Sequence, residues 1–183
     1  MDKKQARALG LAARGQLSPK RRRAYDRSLL LQAKEALQDA HAVGIYVSFG
    51  SEADTRALIQ WCLDSGKSVA VPRTLARTLE FQEIHSMQEL KPGVWGILEP
   101  SGGRVIPASA VDAMIVPLAA FDSDLHRVGY GRGYYDSVLG SVRNRIGIAY
   151  PEQQMPMIET DPWDIALDRI LVAKIGGDES ESL

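Results

Sequence analysis

The clearest chemical signal lies in one ten-residue segment, 127–136, which reads RVGYGRGYYD. Its three glycines occupy alternate positions, and glycine lets backbone N–H groups approach a bound anion closely. Arg127 and Arg132 add positive charge, and we expect a helix over 134–139 whose positive end faces the same anion. We interpret the segment as a polyphosphate-binding loop, although its spacing fits neither the Walker pattern nor the dinucleotide fingerprint. The glycines could instead form only a flexible turn, with the tyrosines in the core.

A second signal is the basic character of the N-terminal segment, where nine of the 22 Lys and Arg residues fall within positions 1–27. A helix over 2–14 would place Lys3, Arg7 and Arg14 on one face, because they are spaced by four and seven residues. Such a segment could be a solvated helix face, a nucleic-acid-binding arm or an anion-binding element folded over a site. Composition alone favours the solvated face.

The elements that position these residues follow from hydrophobic periodicity and from breakers. We predict helices over 2–14, 18–40, 55–64 and 134–139, and strands over 43–48, 68–72, 79–84, 112–117, 146–150 and 169–173. Strands alternating with helices favour a single three-layer α/β domain, with a mainly parallel sheet and helices on both faces. We expect this domain to span 1–175, a functional long loop near 91–107 and a flexible tail over 176–183. Ligands in such sheets bind beyond the carboxyl ends of the strands.

Composition and charge exclude several classes of protein. The 183 residues are 45% apolar and 25% charged with a net charge of −1, which is typical of a globular protein and not of a disordered or nucleic-acid-coating one. Neither a membrane span nor a signal-peptide segment is present, so we expect a cytoplasmic protein without a membrane partner. We also expect a monomer that binds no nucleic acid. Cys62 is the only cysteine, which excludes an intrachain disulfide and favours core packing of its side chain.

The chain resembles the 5-formyltetrahydrofolate cyclo-ligase family. The signature of that family is a Pro-containing strand, a Phe-Asp pair and an Arg-Leu-Gly-x-Gly-x-Gly-Tyr-Tyr-Asp loop, and it corresponds to Val116-Pro117, Phe121-Asp122 and 127–136. The resemblance extends over nearly the whole chain. It also includes Lys3, Arg7, Ser18-Pro19, 46–48, 52–55, Gly66-Lys67, 71–73, 96–100, 147–150, Gln153 or Gln154, Trp163-Asp164 and Asp168.

The resemblance implies an enzyme that uses ATP and Mg²⁺ to convert 5-formyltetrahydrofolate, with or without a polyglutamate chain, into 5,10-methenyltetrahydrofolate. In this family ATP phosphorylates the formyl oxygen, N10 attacks the activated carbon, and phosphate leaves. The protein's task in such a reaction is mostly positioning and charge neutralisation.

The resemblance also implies a role for individual residues. The ATP phosphates would be held by Lys3, Arg7, Arg127, Val128, Gly129, Tyr130, Gly131, Arg132, Gly133, Tyr134 and Tyr135. The folate would contact Phe49, Glu52, Asp54, Tyr130 and Tyr134. Asp136 and Asp164 would coordinate Mg²⁺, which accepts a few carboxylates completed by phosphate oxygens and water. Asp136 could also merely stabilise a helix terminus, and Asp54-Thr55 could form a helix N-cap.

The chain departs from the family pattern at three positions. Leu118 and Leu125 stand where glycine is usual, and Val128 replaces a leucine. Leu125 therefore predicts an altered turn at the entry to the glycine-rich loop.

Two other functions remain open. One is a nucleotide- or folate-binding homologue without turnover. The other is a nucleic-acid-binding module that uses the basic arm, although Tyr25 is the only aromatic residue among the first 27. We expect Arg21 and Arg22 to lie on a solvated helix surface.

Overall fold

The computed structural model describes residues 1–175. The helices are α1 (Lys3–Gly15), α2 (Pro19–Ala36), α3 (Arg56–Asp64) and α4 (Asp136–Leu139). The strands are β1 (Ala42–Ile45), β2 (Ser68–Thr74), β3 (Leu79–Ile84), β4 (Leu90–Pro92), β5 (Leu98–Pro100), β6 (Ala113–Val116), β7 (Ala120–Phe121), β8 (Arg127–Val128), β9 (Arg145–Ala149) and β10 (Arg169–Val172). The tail predicted for 176–183 lies outside the described residues, so the tail and the domain boundary at 175 stay predictions.

Six strands form the central sheet, in the order β10-β9-β6-β1-β2-β3. Every neighbouring pair from β10 to β2 is parallel, and β3 is an antiparallel edge strand. Only four residues, 75–78, separate β2 from β3, which is too short for the crossover that a parallel pair requires. The predicted α/β class with a mostly parallel sheet flanked by helices is confirmed.

The alternation of side chains along the strands divides the core between the two faces of the sheet. Val69 and Val71 pack with α2 and α3, whereas Ala70 packs on the opposite face with Leu139 of α4. Cys62 is fully buried in the first of these clusters, as predicted. In residues 1–175 no helix is both long enough and apolar enough to cross a membrane.

Two helix boundaries differ from the prediction. α2 begins as expected with Ser18 as N-cap, but it ends at Ala36 instead of near 40. Beyond that end, Lys67 Nζ donates to the carbonyl oxygens of Gln38 and Ala40, which are thereby satisfied outside a helix. α4 covers only Asp136–Leu139, so the predicted start at 134 is wrong. A single turn has almost no macrodipole, so the helix dipole that the sequence analysis expected beside the glycine-rich segment is largely missing.

Two small hairpins were not predicted. β4 pairs with β5, and β7 pairs with β8 just before the glycine-rich segment. Strands of two or three residues are too short to show a hydrophobic period in the sequence.

Helix α1 packs closely against β7 through Gly10. A Cβ atom at this position would stand 2.1 Å from the carbonyl oxygen of Ala119, a distance that no real contact reaches. The N-cap is Asp2, whose carboxylate accepts from the N–H of Gln5 at 2.8 Å. This docking fixes which face of α1 points toward the carboxyl ends of the parallel strands.

Candidate active site

A cavity of about 810 Å³ opens beyond the carboxyl ends of β1, β2 and β6, where the fold class predicts ligand binding. Tyr46 and Val47 follow β1, Thr74 ends β2 and Pro117 follows β6, and all four line the cavity. The volume lies within the range typical of sites for small molecules and cofactors.

Helix α1 contributes one basic face to this cavity. Lys3, Arg7 and Arg14 all line it, as their spacing predicted for a common face. Lys3 Nζ donates to Asp161 at 2.6 Å and also contacts Asp164. Burial lowers the pKa of Lys3, but these two carboxylates outweigh it and raise the pKa above its usual range. The lysine is therefore fully charged at neutral pH.

The glycine-rich segment runs beneath this basic face. Arg7 Nε donates to the carbonyl oxygen of Gly129 at 2.7 Å, which ties α1 to the segment. Gly131 has φ of 87°, and a Cβ there would stand 3.2 Å from Arg7 Cζ. The left-handed backbone favours glycine at position 131, and a side chain there would also have to displace the Arg7 guanidinium slightly.

Arg127 lies at the base of the same segment. Its Nε donates to the carbonyl oxygen of Pro117 at 3.2 Å, and Nη1 lies 3.6 Å from Asp136 Oδ1. Burial lowers the pKa of the guanidinium, and the charge of Asp136 opposes that shift. A Cβ at Gly129 would lie 2.4 Å from Arg127 Nη2, so this glycine leaves room for the arginine to fold back.

The loop after β1 forms the opposite wall. Phe49 is 47% exposed at the cavity, and Glu52 Oε2 accepts from its N–H at 2.8 Å. Tyr130 of the glycine-rich segment donates to Glu52 Oε1 at 2.6 Å. Burial raises the pKa of Glu52 above its usual range, although hydrogen bonds from Tyr130 and Phe49 and the charge of Arg14 act in the opposite direction.

Asp54 occupies a different place from the one that the resemblance implied. It is not among the residues that line the cavity. Its carboxylate accepts from Ser48 Oγ at 3.4 Å and from the N–H groups of Arg56 and Ala57 at 3.3 and 3.5 Å. The side chain therefore acts as a cap on the first turn of α3, which was the alternative considered for it.

The two candidate metal ligands both line the cavity, Asp136 beside Arg127 and Asp164 beside Lys3. Burial alone would raise the pKa of Asp164, but hydrogen bonds from Lys3 and the Asp161 N–H lower it below its usual range. Among residues 1–175 no three His, Cys, Asp or Glu side chains cluster closely enough to hold a metal ion. These carboxylates fit a magnesium ion only if other oxygen ligands complete its shell.

The hairpin β4-β5 supplies residues that the motif analysis did not assign. Trp95 at its tip has φ of 54°, and Arg132 Cζ lies 3.8 Å from the centre of the indole ring. Glu99 Oε1 accepts from the N–H of Thr74 at 3.1 Å. Trp95 and Glu99 both line the cavity. The length and Pro/Gly content of 91–107 predicted a functional loop there, and the family resemblance included Glu99 within 96–100 without giving it a role, whereas no motif included Trp95.

Arg22 is not on a solvated surface, contrary to the expectation from the sequence. Its Nη2 donates to the carbonyl oxygens of Gly50 and Glu52 at 3.3 and 3.4 Å, so it supports the loop after β1 from behind. Arg21 is half-buried, with Nη1 3.9 Å from Glu152 Oε1.

The sequence that forms this cavity matches a known family. The model of the 5-formyltetrahydrofolate cyclo-ligase family matches residues 1–173, which include every residue of the cavity. The chain belongs to the 5-formyltetrahydrofolate cyclo-ligase family.

Individual members of the cyclo-ligase family are similar over most of their length. The 5-formyltetrahydrofolate cyclo-ligase of Haemophilus influenzae is 34% identical over 144 residues, covering 74% of this chain and 77% of that protein. The 5-formyltetrahydrofolate cyclo-ligase of Escherichia coli K12 is 33% identical over 141 residues, covering 72% of this chain and 78% of that protein. The NMR structure of Aquifex aeolicus 5,10-methenyltetrahydrofolate synthetase matches with a TM-score of 0.84 at 29% identity, covering 93% of this chain and 89% of that one.

Proposed function

We propose that this cyclo-ligase family member converts 5-formyltetrahydrofolate into 5,10-methenyltetrahydrofolate with ATP and Mg²⁺, releasing ADP and phosphate. The observation that carries the proposal is the single cavity in which a basic, glycine-rich wall faces a wall with an aromatic ring and a carboxylate. The basic wall suits a polyphosphate, and the opposite wall suits a flat heterocycle that carries N–H donors.

On the basic wall, Lys3, Arg7, Arg127 and Arg132 neutralise the phosphates. The carbonyl of Gly129 already accepts from Arg7, and Gly131 and Gly133 adopt left-handed conformations in which the absence of a side chain lets a ligand approach the backbone closely. Fixed cations and backbone donors of this kind stabilise charge on a transferring phosphoryl group without reorganisation.

On the opposite wall, Phe49 packs against the pterin, and Glu52 accepts hydrogen bonds from the N–H groups of the pterin. Tyr130 and Tyr134 contact the edge of the folate. Asp54 is left out of the folate site because its carboxylate caps α3.

In the proposed reaction the formyl oxygen attacks the γ-phosphorus as the bond to ADP breaks. N10 then attacks the activated carbon and loses its proton to water, and the carbon–oxygen bond breaks as phosphate leaves. If Arg7 and Glu52 hold the formyl group between them, its oxygen stays close to the γ-phosphate of ATP, and the two groups do not have to meet by diffusion.

Asp136 and Asp164 would hold Mg²⁺ together with phosphate oxygens of ATP, and the bound ion would neutralise phosphate charge. Two carboxylates without a third partner make a weak site, so we expect Mg²⁺ to bind with the nucleotide rather than alone. The cytoplasmic location, the monomeric state and the acceptance of polyglutamylated substrate stay predictions.

The nucleic-acid alternative loses support because α1 directs Lys3, Arg7 and Arg14 into the cavity. An activity assay distinguishes an enzyme from a binding protein without turnover. Purified protein, 5-formyltetrahydrofolate and Mg-ATP should give the absorbance of the methenyl product with stoichiometric ADP and phosphate, and omission of ATP or Mg²⁺ should abolish it. Product formation at the same rate without ATP would overturn the proposed reaction.

A matched pair of variants tests the metal ligands. Asp136→Asn should lower turnover at limiting Mg²⁺ by about tenfold or more, which is far more than the loss of stability caused by removing the carboxylate beside the buried Arg127. Asp124→Asn removes the same charge at an exposed position outside the cavity and should behave as wild type. Equal activity of the two variants would remove Asp136 from the metal site.

A further inference from the structure

Arg14, in the last turn of α1, is buried although it carries a charge. Its side chain is only 5% exposed. A buried guanidinium is costly unless hydrogen bonds satisfy it, and removal of its partners would leave an uncompensated charge. Nε donates to Ser51 Oγ at 3.0 Å, and Nη1 donates to the carbonyl oxygen of Leu118 at 3.2 Å and to Tyr130 Oη at 3.0 Å.

These three partners belong to three separate segments of the chain. Ser51 lies in the loop after β1, Leu118 follows β6, and Tyr130 lies in the glycine-rich segment. The guanidinium carbon also lies 5.7 Å from the centre of the Tyr130 ring, within the range of a cation–π contact. Arg14 therefore fixes the position of the tyrosine ring as well as that of its hydroxyl group.

Tyr130 connects Arg14 to the opposite wall of the cavity through a second hydrogen bond. Its hydroxyl group accepts from Arg14 and donates to Glu52 Oε1 at 2.6 Å, and Glu52 Oε2 accepts from the Phe49 N–H. A continuous chain of hydrogen bonds thus joins the buried arginine, the glycine-rich segment and the loop after β1. Such connected networks are stronger than their separate bonds, because each bond polarises the next.

We propose that Arg14 is a positioning residue that links the two substrate sites through Tyr130 and Glu52, so that ATP and the folate each strengthen the binding of the other. The inference rests on the proposed function, which places ATP at the glycine-rich segment and the folate at the loop after β1. A ligand that orders either end of the chain of hydrogen bonds removes part of the ordering cost for the other ligand. The effect must be reciprocal, because it is one coupling free energy.

The test measures the affinity for 5-formyltetrahydrofolate with and without a non-hydrolysable ATP analogue and Mg²⁺, by calorimetry on the full chain. Wild-type protein should bind the folate about tenfold more tightly with the analogue, within the usual range of coupling between sites. Arg14→Met should reduce this factor to about one. Arg14→Lys keeps the charge but cannot contact three segments at once, so it should restore the factor only in part.

Two further variants separate coupling from simple damage. Lys4→Met alters an exposed side chain on the same helix and should keep the wild-type factor. Tyr130→Phe removes the middle of the chain while leaving Arg14 in place, and Tyr130 is 41% exposed, so this variant should fold even if Arg14→Met does not. If Arg14 acts through Tyr130, the double variant Arg14→Met/Tyr130→Phe should lose no more coupling than either single variant.

The outcomes distinguish this inference from the proposed function. If wild-type protein converts the substrates but binds the folate equally tightly with and without the ATP analogue, the coupling is overturned and the proposed function stands. A wild-type factor that survives in both Arg14→Met and Tyr130→Phe would also overturn it. Failure of wild-type protein to bind either ligand would instead overturn the proposed function.

Discussion

At the scale of single residues, Glu52 is a residue of the cavity whose burial as a carboxylate lowers the stability of the fold. Its carboxylate lies among Tyr130, Arg14 and the Phe49 N–H, yet burial still raises its pKa above the ordinary value of 4.5. The folded protein therefore favours the protonated carboxyl, while a folate with N–H donors favours the ionised one. In the proposed function Glu52 binds the folate, and the fold bears the cost of desolvating its carboxylate.

This conflict predicts a pH-dependent difference between wild type and Glu52→Gln. A carboxyl whose pKa is higher in the folded state stabilises the fold as the pH falls through that folded pKa, and the gain is complete below about 4.5. The melting temperature of wild type minus that of the variant should therefore rise as the pH is lowered from 7.5 to 4. Glu35→Gln, which makes the same change at an exposed position on α2, is the matched variant for comparison. A constant difference for Glu52→Gln would show that its carboxyl is unperturbed.

Leu125 offers a second test at this scale. The sequence predicted an altered turn there because a leucine replaces a usual glycine, and the residue adopts φ of 67° while its side chain packs beside Phe121 and Leu167. A leucine in the left-handed region bears a strain of about 1 kcal/mol. Leu125→Ala loses the packing but keeps the strain, whereas Leu125→Gly loses both.

The glycine variant should therefore be more stable than the alanine variant by about 1 kcal/mol, measured by urea unfolding. In an ordinary right-handed conformation the order is reversed, because glycine loses more backbone entropy on folding. Greater stability of Leu125→Ala would show that the backbone at this turn is unstrained.

At the scale of elements, α1 positions the site. Gly10 interrupts an otherwise uniform helical pattern, and from the sequence it could only be considered a helix breaker. In the structure it is the point where the helix backbone meets the carbonyl oxygen of Ala119. Lys3, Arg7 and Arg14 reach the cavity only if α1 packs at a fixed distance from the segment at Ala119. Gly10, which has no side chain, allows that short distance.

Gly10→Ala and Gly15→Ala form a matched pair on this helix. Alanine normally stabilises a helix interior by up to about 1 kcal/mol relative to glycine. At Gly10 the new methyl group would stand 2.1 Å from Ala119 O, whereas at Gly15 nothing lies within 4 Å. We expect Gly15→Ala to raise the melting temperature or leave it unchanged, and Gly10→Ala to lower it by several degrees and reduce kcat/KM about tenfold or more. Similar behaviour of both variants would contradict the close docking of α1.

How far the elements could be predicted depended on their length. Strands and helices with several periodic residues, such as α3 and β9, were predicted close to their observed bounds. α4 was predicted too long because Tyr134 and Tyr135 fit a helical pattern, although Gly131 and Gly133 place the chain before them in the left-handed region. The hairpins could not be predicted, because strands of two or three residues are too short to show a hydrophobic period.

At the scale of the whole molecule, the site joins regions that are far apart in the chain. Residues 3–14 meet residues 127–164 through the bonds from Lys3 to Asp161 and from Arg7 to Gly129. Motifs could predict the glycine-rich segment, the basic face and most carboxylates, because their chemistry is local. The roles of Arg14 and Arg22 could not be predicted, since a basic residue on a helix resembles any solvated charge until its partners are known.

The joining of distant regions predicts how the whole chain responds to a nucleotide. A non-hydrolysable ATP analogue with Mg²⁺, at about 100 times its dissociation constant, should stabilise the fold by about 2.7 kcal/mol and raise the melting temperature by several degrees. Because Arg7 holds α1 to Gly129, hydrogen exchange of the α1 amides should slow together with that of 127–136. α3 supplies no residue to the cavity, so its exchange should change far less. A rise in melting temperature with protection of 127–136 but not of α1 would show that the nucleotide binds without the N-terminal helix, and that Lys3 and Arg7 are not part of its site.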